Sequence, residues 1–258
     1  MPFESLSNVE RQQKILQFLS REQRISVTDI CKLFSVSEAT ARRDLDVLVE
    51  QNHLQRVHGG AILIKQAPPE LPILERELDQ AGEKDRIGLA AAKLVNDGET
   101  IFLGSGTTVL AVARALREHR QLTVITNSLP VLNMLSNLPE ITLIALGGIF
   151  RPSELSFIGH ITEQSIQELR ADKVIIGVHA ISQEHGLTND YMPETLTDRA
   201  ILQMGQQVII VADHSKFGRV STVYLAPVEK INTIVTDNQL DQSFVEFFEA
   251  RNIAVLSV

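Results

Sequence analysis

The sequence is poor in the residues that cross-link a protein or anchor it in a membrane. Its 258 residues include no tryptophan, two tyrosines and a single cysteine, Cys31. One cysteine can form neither an intrachain disulfide nor a cysteine metal cluster, so both ways of holding a fold together are excluded. No apolar run reaches the length of a membrane span, and no basic segment followed by an apolar one opens the sequence. We therefore expect a cytoplasmic protein with no membrane partner.

Charge is distributed unevenly along the chain. The net charge is −8, but residues 1–65 hold nine Lys or Arg against eight Asp or Glu, which leaves −9 on the remainder. An acidic body disfavours a protein whose whole surface binds nucleic acid. A nearly neutral head can still bind DNA through one locally positive face.

A stretch near the start of the chain has the pattern of two short helices that meet at a tight turn. Ser26 precedes Asp29 by three residues, which is the spacing of a capping box at a helix start. Ser37 is placed to cap the next helix, in which apolar residues from Ala41 to Val49 recur on one face. This order predicts a helix-turn-helix.

The other face of the second helix carries groups that suit a DNA major groove. Hydroxyls and guanidiniums lie near its start, and arginine can bind a guanine edge or a phosphate. A wing predicted from strands at 54–57 and 61–64 would place two more side chains at the sugar-phosphate backbone. An ordinary solvated face is the alternative interpretation. The predicted DNA contacts are Ser37, Glu38, Thr40, Arg42, Arg43, Arg56 and His58.

A proline-rich segment follows the wing. Pro68, Pro69 and Pro72 cannot extend a helix and favour extended backbone. The predicted domains are a winged helix-turn-helix at 1–66, a linker at 67–78, and an effector-sensing and oligomerisation domain at 79–258.

From about residue 79 onward, short apolar runs alternate with longer helical patterns. This alternation indicates a mainly parallel sheet that helices cover on both faces. The predicted strands lie at 100–103, 122–126, 141–146, 173–178, 207–213 and 231–237, with one more at the end of the chain. The predicted fold class is therefore α/β, with a small α+β head and a larger parallel-sheet domain.

Polar turns follow the carboxyl ends of these strands, where parallel sheets bind ligands. The turn 104–108, GSGTT, stands between a strand and a helix, so its N–H groups and hydroxyls suit an anion. It is neither a Walker A loop nor a dinucleotide fingerprint, and packing alone can also explain such a turn. Lys216 is placed to neutralise a sugar phosphate, and Asp190 and Glu194 are candidate acceptors for its hydroxyls. The alternative for Lys216 is a solvated pair with the neighbouring Asp213, and the alternative for Asp190 and Glu194 is ordinary loop and helix-cap acids.

No cofactor or metal site is predicted. His179 and His214 are too isolated in the sequence for a metal constellation, and lone histidines are more often satisfied core or surface groups. Neither a nucleophile elbow nor a His-Glu-x-x-His motif occurs in the sequence.

Two sets of motifs resemble one protein family. The segment 37–45, SEATARRDL, with Arg11 and Ile15 before it and the Gly59-Gly60 pair after it, resembles the DNA-binding domain of DeoR-type bacterial transcriptional regulators. GSGTT at 104, TNS at 126, Gly-Gly at 147 and DHSKFGR at 213 are similar to the sensing domain of that family. The resemblance therefore covers nearly all of the chain.

This resemblance implies both a fold and a ligand. The sensing domain of the family is related in fold to ribose-5-phosphate isomerase and glucosamine-6-phosphate deaminase, which implies a phosphorylated sugar or sugar alcohol as effector. Carried over by position, the effector-binding residues are Gly104, Ser105, Gly106, Thr107, Thr108, Thr126, Asn127, Gly147, Glu194 and Lys216. Asp190 joins this set on its residue type alone.

The sequence departs from the family pattern at two places. His179-Ala180 follows the strand at 173–178, where the family commonly has Asp or Ser before Gly. Asp198-Arg199 follows Glu194, where the family usually has a Lys-Arg pair. We therefore expect either a ligand of different shape or charge, or a sensor that no longer responds.

The predicted function is a repressor of a carbohydrate-use operon. A homo-oligomer would bind double-stranded operator DNA and would release it when a phosphorylated sugar or sugar alcohol binds. The alternative is a sugar-phosphate isomerase or deaminase with a DNA-binding appendage. Such isomerases carry an acidic loop for proton transfer, whereas the corresponding loop here reads Gly-Val-His-Ala-Ile. We therefore predict that the protein is not an enzyme.

Overall fold

The computed structural model describes residues 6–22, 24–51, 53–57, 59–63 and 65–258. The chain divides into two compact units, Met1–Gln66 and Ala67–Val258. In the part of the chain described, the helices are too short or too polar to cross a membrane.

The first unit is a helix-turn-helix with a small antiparallel sheet. Its elements are α1 (Asn8–Glu22), β1 (Arg24–Ser26), α2 (Val27–Phe34), α3 (Glu38–Glu50), β2 (Leu54–Val57), β3 (Gly60–Leu63) and β4 (Lys65–Gln66). β3 pairs with β2 as the predicted wing and also with β1, which the sequence did not predict. Ile64, the last residue of the predicted second wing strand, lies outside the described residues.

Local hydrogen bonds fix where α2 begins. Ser26 Oγ accepts from the Asp29 N–H at 3.0 Å, and Asp29 Oδ2 accepts from the Ser26 N–H at 3.1 Å. The predicted capping box is thereby confirmed, and it satisfies two backbone donors that would otherwise lack a partner. α2 ends at Ser35 in the left-handed conformation, with φ of 53°.

The core of the first unit lies between the three helices and the sheet. Ile15 and Leu19 of α1 pack with Ile30 of α2 and with Leu45 and Leu48 of α3. All five side chains are almost completely buried. This apolar stripe holds α3 in place and leaves its opposite face in solvent.

A buried ion pair joins α1 to α3 beside that core. Arg11 Nε donates to Asp44 Oδ2 at 2.5 Å, and Arg11 Nη2 donates to Asp44 Oδ1 at 3.0 Å. Both side chains are largely excluded from water. Bidentate geometry fixes the direction in which the two helices approach each other.

The second unit is built on a seven-stranded sheet. Its strands are β5 (Thr100–Leu103), β6 (Leu122–Thr126), β7 (Ile141–Ala145), β10 (Ala171–Ile176), β13 (Gly205–Val211), β16 (Thr233–Thr236) and β17 (Ala254–Ser257). The strand order is β17-β16-β13-β10-β5-β6-β7, and the neighbouring strands of this ladder run parallel. The predicted parallel sheet is therefore confirmed.

Helices cover both faces of this sheet. They are α4 (Ile73–Arg76), α5 (Ala81–Ala92), α6 (Thr107–Ala115), α7 (Leu129–Leu135), α8 (His160–Gln167), α9 (Met192–Met204) and α10 (Gln242–Glu249). Alternate residues of β5 enter two separate cores: Ile101 packs with the cluster of α5 and α6, and Phe102 packs with the cluster of α8, α9 and α10. This alternation is the pattern of a strand buried on both faces.

Short strands lie in segments where the sequence analysis predicted no strand. They are β8 (Ile149–Arg151), β9 (Ser156–Ile158), β11 (Ala180–Ser182), β12 (Gly186–Asn189), β14 (Arg219–Val220) and β15 (Val223–Ala226). β8 pairs with β9, and β12 lies between β11 and β15. Strands of two to four residues are too short to show a period of two in the sequence.

Candidate nucleic-acid interface and ligand cavity

The start of α3 presents a polar, exposed face. Ser37 Oγ accepts from the Thr40 N–H at 3.3 Å and lies 3.0 Å from Thr40 Oγ1, so the two hydroxyls form the helix cap. Arg42 and Arg43 follow one turn later, and both are exposed. Glu38 approaches Arg42 at 3.4 Å, but an exposed pair of this kind holds a guanidinium weakly. Both guanidiniums therefore remain available to a partner.

The wing contributes one described cation close to this helix. Arg56 on β2 forms an ion pair with Asp46 of α3, with Nη2 2.8 Å from Oδ1. This contact places Arg56 beside α3, and its side chain is half-buried. His58, the other predicted wing contact, lies outside the described residues.

The second unit contains a cavity at the carboxyl ends of β5, β10 and β13, which are neighbours in the sheet. A parallel sheet places the loops after its strands at one edge, so residues distant in the sequence meet there. The polar and charged lining residues are Glu70, Arg76, Asp79, Lys84, Ser105, Thr107, Thr108, Glu154, His179, Asn189, Glu194, Asp198, Asp213 and Lys216.

The N-terminus of α6 forms one wall of this cavity. Gly106 precedes the helix with φ of +108°, a conformation that side chains with a Cβ rarely adopt, and it allows the sharp entry into α6. The N–H groups of the first turn have no partner within the helix and carry the positive end of its dipole. Thr107 and Thr108 add hydroxyls, and Lys216 adds a positive charge. This wall, which we call the anion end, is suited to a phosphate.

A second group of charged residues surrounds Glu70. Arg76 Nη1 donates to Glu70 Oε1 at 2.6 Å, and Lys216 Nζ lies 3.6 Å from the same oxygen. His179 Nδ1 lies 3.2 Å from Glu70 Oε2, but neither ring nitrogen has a hydrogen-bond partner among the described residues. Burial opposes ionisation of Glu70, yet His179, Arg76 and Lys216 outweigh it and lower the pKa of Glu70 to about 2.

Three further acids line the cavity. Glu154 is bound by Arg76, Glu194 is bound by Arg151, and Asp198 Oδ2 accepts from Asn189 Nδ2 at 2.9 Å. We call Glu154, Glu194 and Asp198 the acid end. Burial raises the pKa of Glu154 to about 7 and is also the main cause that raises the pKa of both Glu194 and Asp198.

The cavity contains most, but not all, of the residues predicted to bind an effector. The predicted residues that line it are Gly104, Ser105, Gly106, Thr107, Thr108, Glu194 and Lys216. The predicted residues that do not line it are Thr126, Asn127, Gly147 and Asp190.

Two of the predicted residues that do not line the cavity, Thr126 and Asn127, make structural hydrogen bonds instead. Thr126 Oγ1 accepts from the Ser128 N–H at 3.0 Å, and Asn127 Nδ2 donates to the Phe157 carbonyl at 2.9 Å. Thr126 is the last residue of β6 and Asn127 follows it, and β6 is separated from the cavity by β5 in the strand order. They connect the turn after β6 to the β8–β9 hairpin.

Gly147 and Asp190, the other two predicted residues that do not line the cavity, also make structural contacts. The Gly147 carbonyl accepts from Thr162 Oγ1 at 2.8 Å, which ties the end of β7 to α8. Asp190 Oδ2 accepts from the Glu70 N–H at 3.2 Å and so holds the segment that carries Glu70. Asp190 therefore influences the cavity through its hydrogen bond to the Glu70 backbone.

Several cavity residues had no signal in the sequence. Glu70 and Arg76 lie in the predicted linker, and Glu154 lies in the turn between β8 and β9. Lys84 lies in α5, where it is buried and donates to the Arg76 carbonyl at 2.8 Å. The acid and base types in these segments resemble ordinary surface positions, so only the fold identifies them.

One group of side chains has the composition of a cation site. Glu70, His179 and Asp190 each offer a ligand atom, and these atoms lie within 4.8 Å of one another. Although His179 is isolated in the sequence, the fold brings two carboxylates to it. Arg76 and Lys216 already neutralise Glu70, however, and their charge disfavours a further cation there.

Comparison with known proteins agrees with both units. Residues 11–67 match the DeoR-like helix-turn-helix domain, and residues 79–238 match the DeoR C terminal sensor domain. The chain is 36% identical over 247 residues to the HTH-type transcriptional repressor GlcR of Bacillus subtilis, an overlap of 96% of this chain and 95% of the relative. It is 34% identical over 232 residues to the glycerol-3-phosphate regulon repressor of Escherichia coli, with 90% and 92% covered.

Among solved structures, the chain has a weaker likeness to a metabolic enzyme. Ribose 5-phosphate isomerase A from Methanocaldococcus jannaschii aligns with a TM-score of 0.38 and 20% identity, over 52% of this chain and 53% of that one.

A winged helix-turn-helix followed by an α/β unit with a polar cavity defines a class of two-unit DNA-binding regulators. The chain belongs to the DeoR family of transcriptional regulators, since its two units match both family domains and its relatives align along nearly their whole length.

Proposed function

We propose that this regulator is a repressor of a carbohydrate-use operon and that a phosphorylated sugar or sugar alcohol releases it from its operator. The observation that carries this proposal is the anion end of the cavity, where the N-terminus of α6 and Lys216 face the same space. The name of the glycerol-3-phosphate regulon repressor points to the same class of effector.

Specific DNA binding is assigned to α3 and the wing. Arg42 and Arg43 leave the helix near its N-terminal end, the part of a recognition helix that reaches base edges in the major groove. Arg56 is assigned to the phosphate backbone, which positions the helix but does not read sequence. Ser37, Glu38 and Thr40 complete the proposed face, and His58 joins it on the sequence alone.

The proposed roles of the three segments follow the predicted domains. Residues 1–66 bind DNA, and residues 79–258 sense the effector and form the oligomer interface. Residues 67–78 connect the two and also supply Glu70 and Arg76 to the cavity wall. A cytoplasmic homo-oligomer would present two copies of α3 to two half-sites of one operator. Release requires that the effector bind the two states with different affinity, typically by about 1 to 3 kcal/mol.

The cavity is proposed to bind its ligand without turnover. The named relatives are transcriptional regulators and repressors. The loop after β10 offers His179 where a sugar-phosphate isomerase would use an acidic cluster for proton transfer. Glu70, the carboxylate next to His179, is held by two cations and is poorly disposed to accept a proton from a substrate.

The decisive test is fluorescence anisotropy on DNA from upstream of the gene, first in a salt series and then with a panel of sugar phosphates. We expect sequence-selective binding that weakens with salt and is reversed by one phosphate. Binding without selectivity, or turnover of a panel member by the purified protein, would contradict the proposal.

A further inference from the structure

We propose that the effector carries an ammonium group as well as a phosphate, and that Asp198 and Glu194 at the acid end bind this ammonium. The ligand class is therefore a phosphorylated amino sugar. This inference rests on the proposed function, because it assumes that the anion end holds the phosphate.

The charges that line the cavity do not balance. Its acids are Glu70, Asp79, Glu154, Glu194, Asp198 and Asp213, and its Lys and Arg residues are Arg76, Lys84 and Lys216. A ligand that carries only negative charge would suit the anion end but would leave the acid end without a cation. A ligand with an anion at one end and a cation at the other matches both ends.

Asp198 is an acid of the cavity that forms no ion pair with any described residue. Its side chain accepts one hydrogen bond, from the neutral amide of Asn189. Within residues 66–258, whose side chains the structure describes, no Lys or Arg forms an ion pair with Asp198. Arg151, whose charge acts on Asp198, binds Glu194 instead, and its guanidinium lies 4.6 Å from the centre of the Tyr191 ring. A half-buried carboxylate without a cation is stabilised when a ligand supplies one.

His179 gives a second, independent indication that a polar ligand belongs in this cavity. Its ring lines the cavity and the residue is only 6% exposed. Nδ1 lies 3.2 Å from Glu70 Oε2, whereas Nε2 has no hydrogen-bond partner among the described residues. Buried polar atoms are rarely left without partners in native proteins. A hydroxyl or phosphate oxygen of the ligand would satisfy the ring.

Proton release provides a signature of this arrangement. Burial raises the pKa of both Glu194 and Asp198, so the acid end holds protons at neutral pH when no ligand is bound. An ammonium placed between these carboxylates favours their charged forms and lowers both pKa values. Binding should therefore release protons near pH 7, whereas a neutral hydroxyl at the same position should release few.

The test is isothermal titration calorimetry on the full-length protein with matched ligand pairs. The probes are glucosamine 6-phosphate against glucose 6-phosphate, and galactosamine 6-phosphate against galactose 6-phosphate. Each pair differs only by an amino group in place of a hydroxyl at C2. We expect at least one amino sugar phosphate to bind tenfold or more tightly than its partner. Titration in buffers of different ionisation heat should show that protons are released.

Variants of the acid end test whether its carboxylates cause the preference for the amino sugar phosphate. Asp198→Asn keeps the size of the side chain and should reduce the preference for the amino sugar to threefold or less, whereas the exposed control Asp85→Asn should retain it. Should Asp198→Asn fail to fold, Glu194→Gln and the wild-type ligand pairs still decide the matter.

The possible failures can be told apart. Equal affinity within both pairs, or an undiminished preference in Asp198→Asn, would overturn the ammonium site and leave the proposed sugar-phosphate sensor intact. No binding of any of the four phosphates, together with no effect of a wider sugar-phosphate panel on operator affinity, would overturn both.

Discussion

His179 Nδ1 lies 3.2 Å from Glu70 Oε2, at the point where the loop after β10 meets the segment that precedes α4. The two residues are far apart in the sequence, and neither lies in a helix or strand. Their contact brings an imidazole and a strongly ionised carboxylate to the wall of one cavity. Glu70 thereby becomes the charge around which Arg76 and Lys216 are arranged.

Glu70 should stabilise the second unit at neutral pH. Its pKa is lowered from 4.5 to about 2, so its contribution is present above pH 4.5 and is lost as the pH falls from 4.5 towards 2. Glu70→Gln should therefore cost up to about 3 kcal/mol in the free energy of unfolding at pH 7, and the cost should shrink towards pH 2. Urea unfolding across this pH range measures it. An equal effect from the exposed control Glu75→Gln would contradict this role.

The contribution of Glu154 to the stability of the fold should depend on pH in the opposite direction. Its pKa is raised from 4.5 to about 7, so the folded protein keeps a proton that the unfolded chain has lost. Stability should therefore fall as the pH rises from 4.5 to 7 and level off above that range. In Glu154→Gln this fall should be shallower, as followed by thermal unfolding at fixed ionic strength. A slope identical to that of the wild type would show that Arg76 keeps the carboxylate ionised throughout.

Arg43→Ala should weaken operator binding without unfolding the protein. Removal of a guanidinium that reads a base edge typically costs about 1 to 3 kcal/mol. Anisotropy on operator and on scrambled DNA separates loss of specificity from loss of general attraction. Arg117→Ala, an exposed arginine of the second unit, is the matched control. Wild-type affinity in Arg43→Ala would remove this residue from the proposed interface.

Asp44→Ala should destabilise the first unit strongly. It leaves the Arg11 guanidinium buried beside the core without its bidentate partner, which typically costs about 3 to 5 kcal/mol. The double variant Arg11→Met, Asp44→Leu should recover much of this loss, because no charge then remains buried. Hydrogen exchange of the α3 amides reports on this unit. Additive losses in the double variant would show that the pair is not coupled.

Lys216→Ala should reduce effector affinity about tenfold or more, since it removes a positive charge that lines the anion end. Direct titration of the ligand found by anisotropy measures this loss. Lys230→Ala changes an exposed lysine elsewhere on the same unit and should bind the ligand normally. An undiminished affinity in Lys216→Ala would place the phosphate elsewhere in the cavity.

The sequence could predict the features that depend on local pattern. The turn Gly104 to Thr108 was recognisable because a strand, a polar turn and a helix follow one another directly, and the fold places it at the cavity. The capping box at Ser26 was recognisable for the same reason. Both features need only neighbours within a few positions.

The sequence could not predict the features that depend on strand order. Asn127 follows β6 as Gly104 follows β5, but β6 lies one strand further from β10, so Asn127 bonds to the β8–β9 hairpin instead. Glu70 meets a residue 120 positions away through its bond to Asp190, and no period or motif marks that contact. Tertiary pairing, and not residue type, decides which polar turns face the ligand.

The cavity reaches the stretch that leads out of the first unit. Glu70 lies four positions after Gln66, where the first unit ends, and Arg76 and Asp79 soon follow. A chimera that takes its first unit from one relative and its second unit from another must therefore be joined before residue 67. A junction after residue 79 would transfer the second unit without Glu70, Arg76 and Asp79, which line its cavity. Specificity for the ligand and attachment of the head share one short peptide, so recombination at this point in evolution would be expected to alter both together.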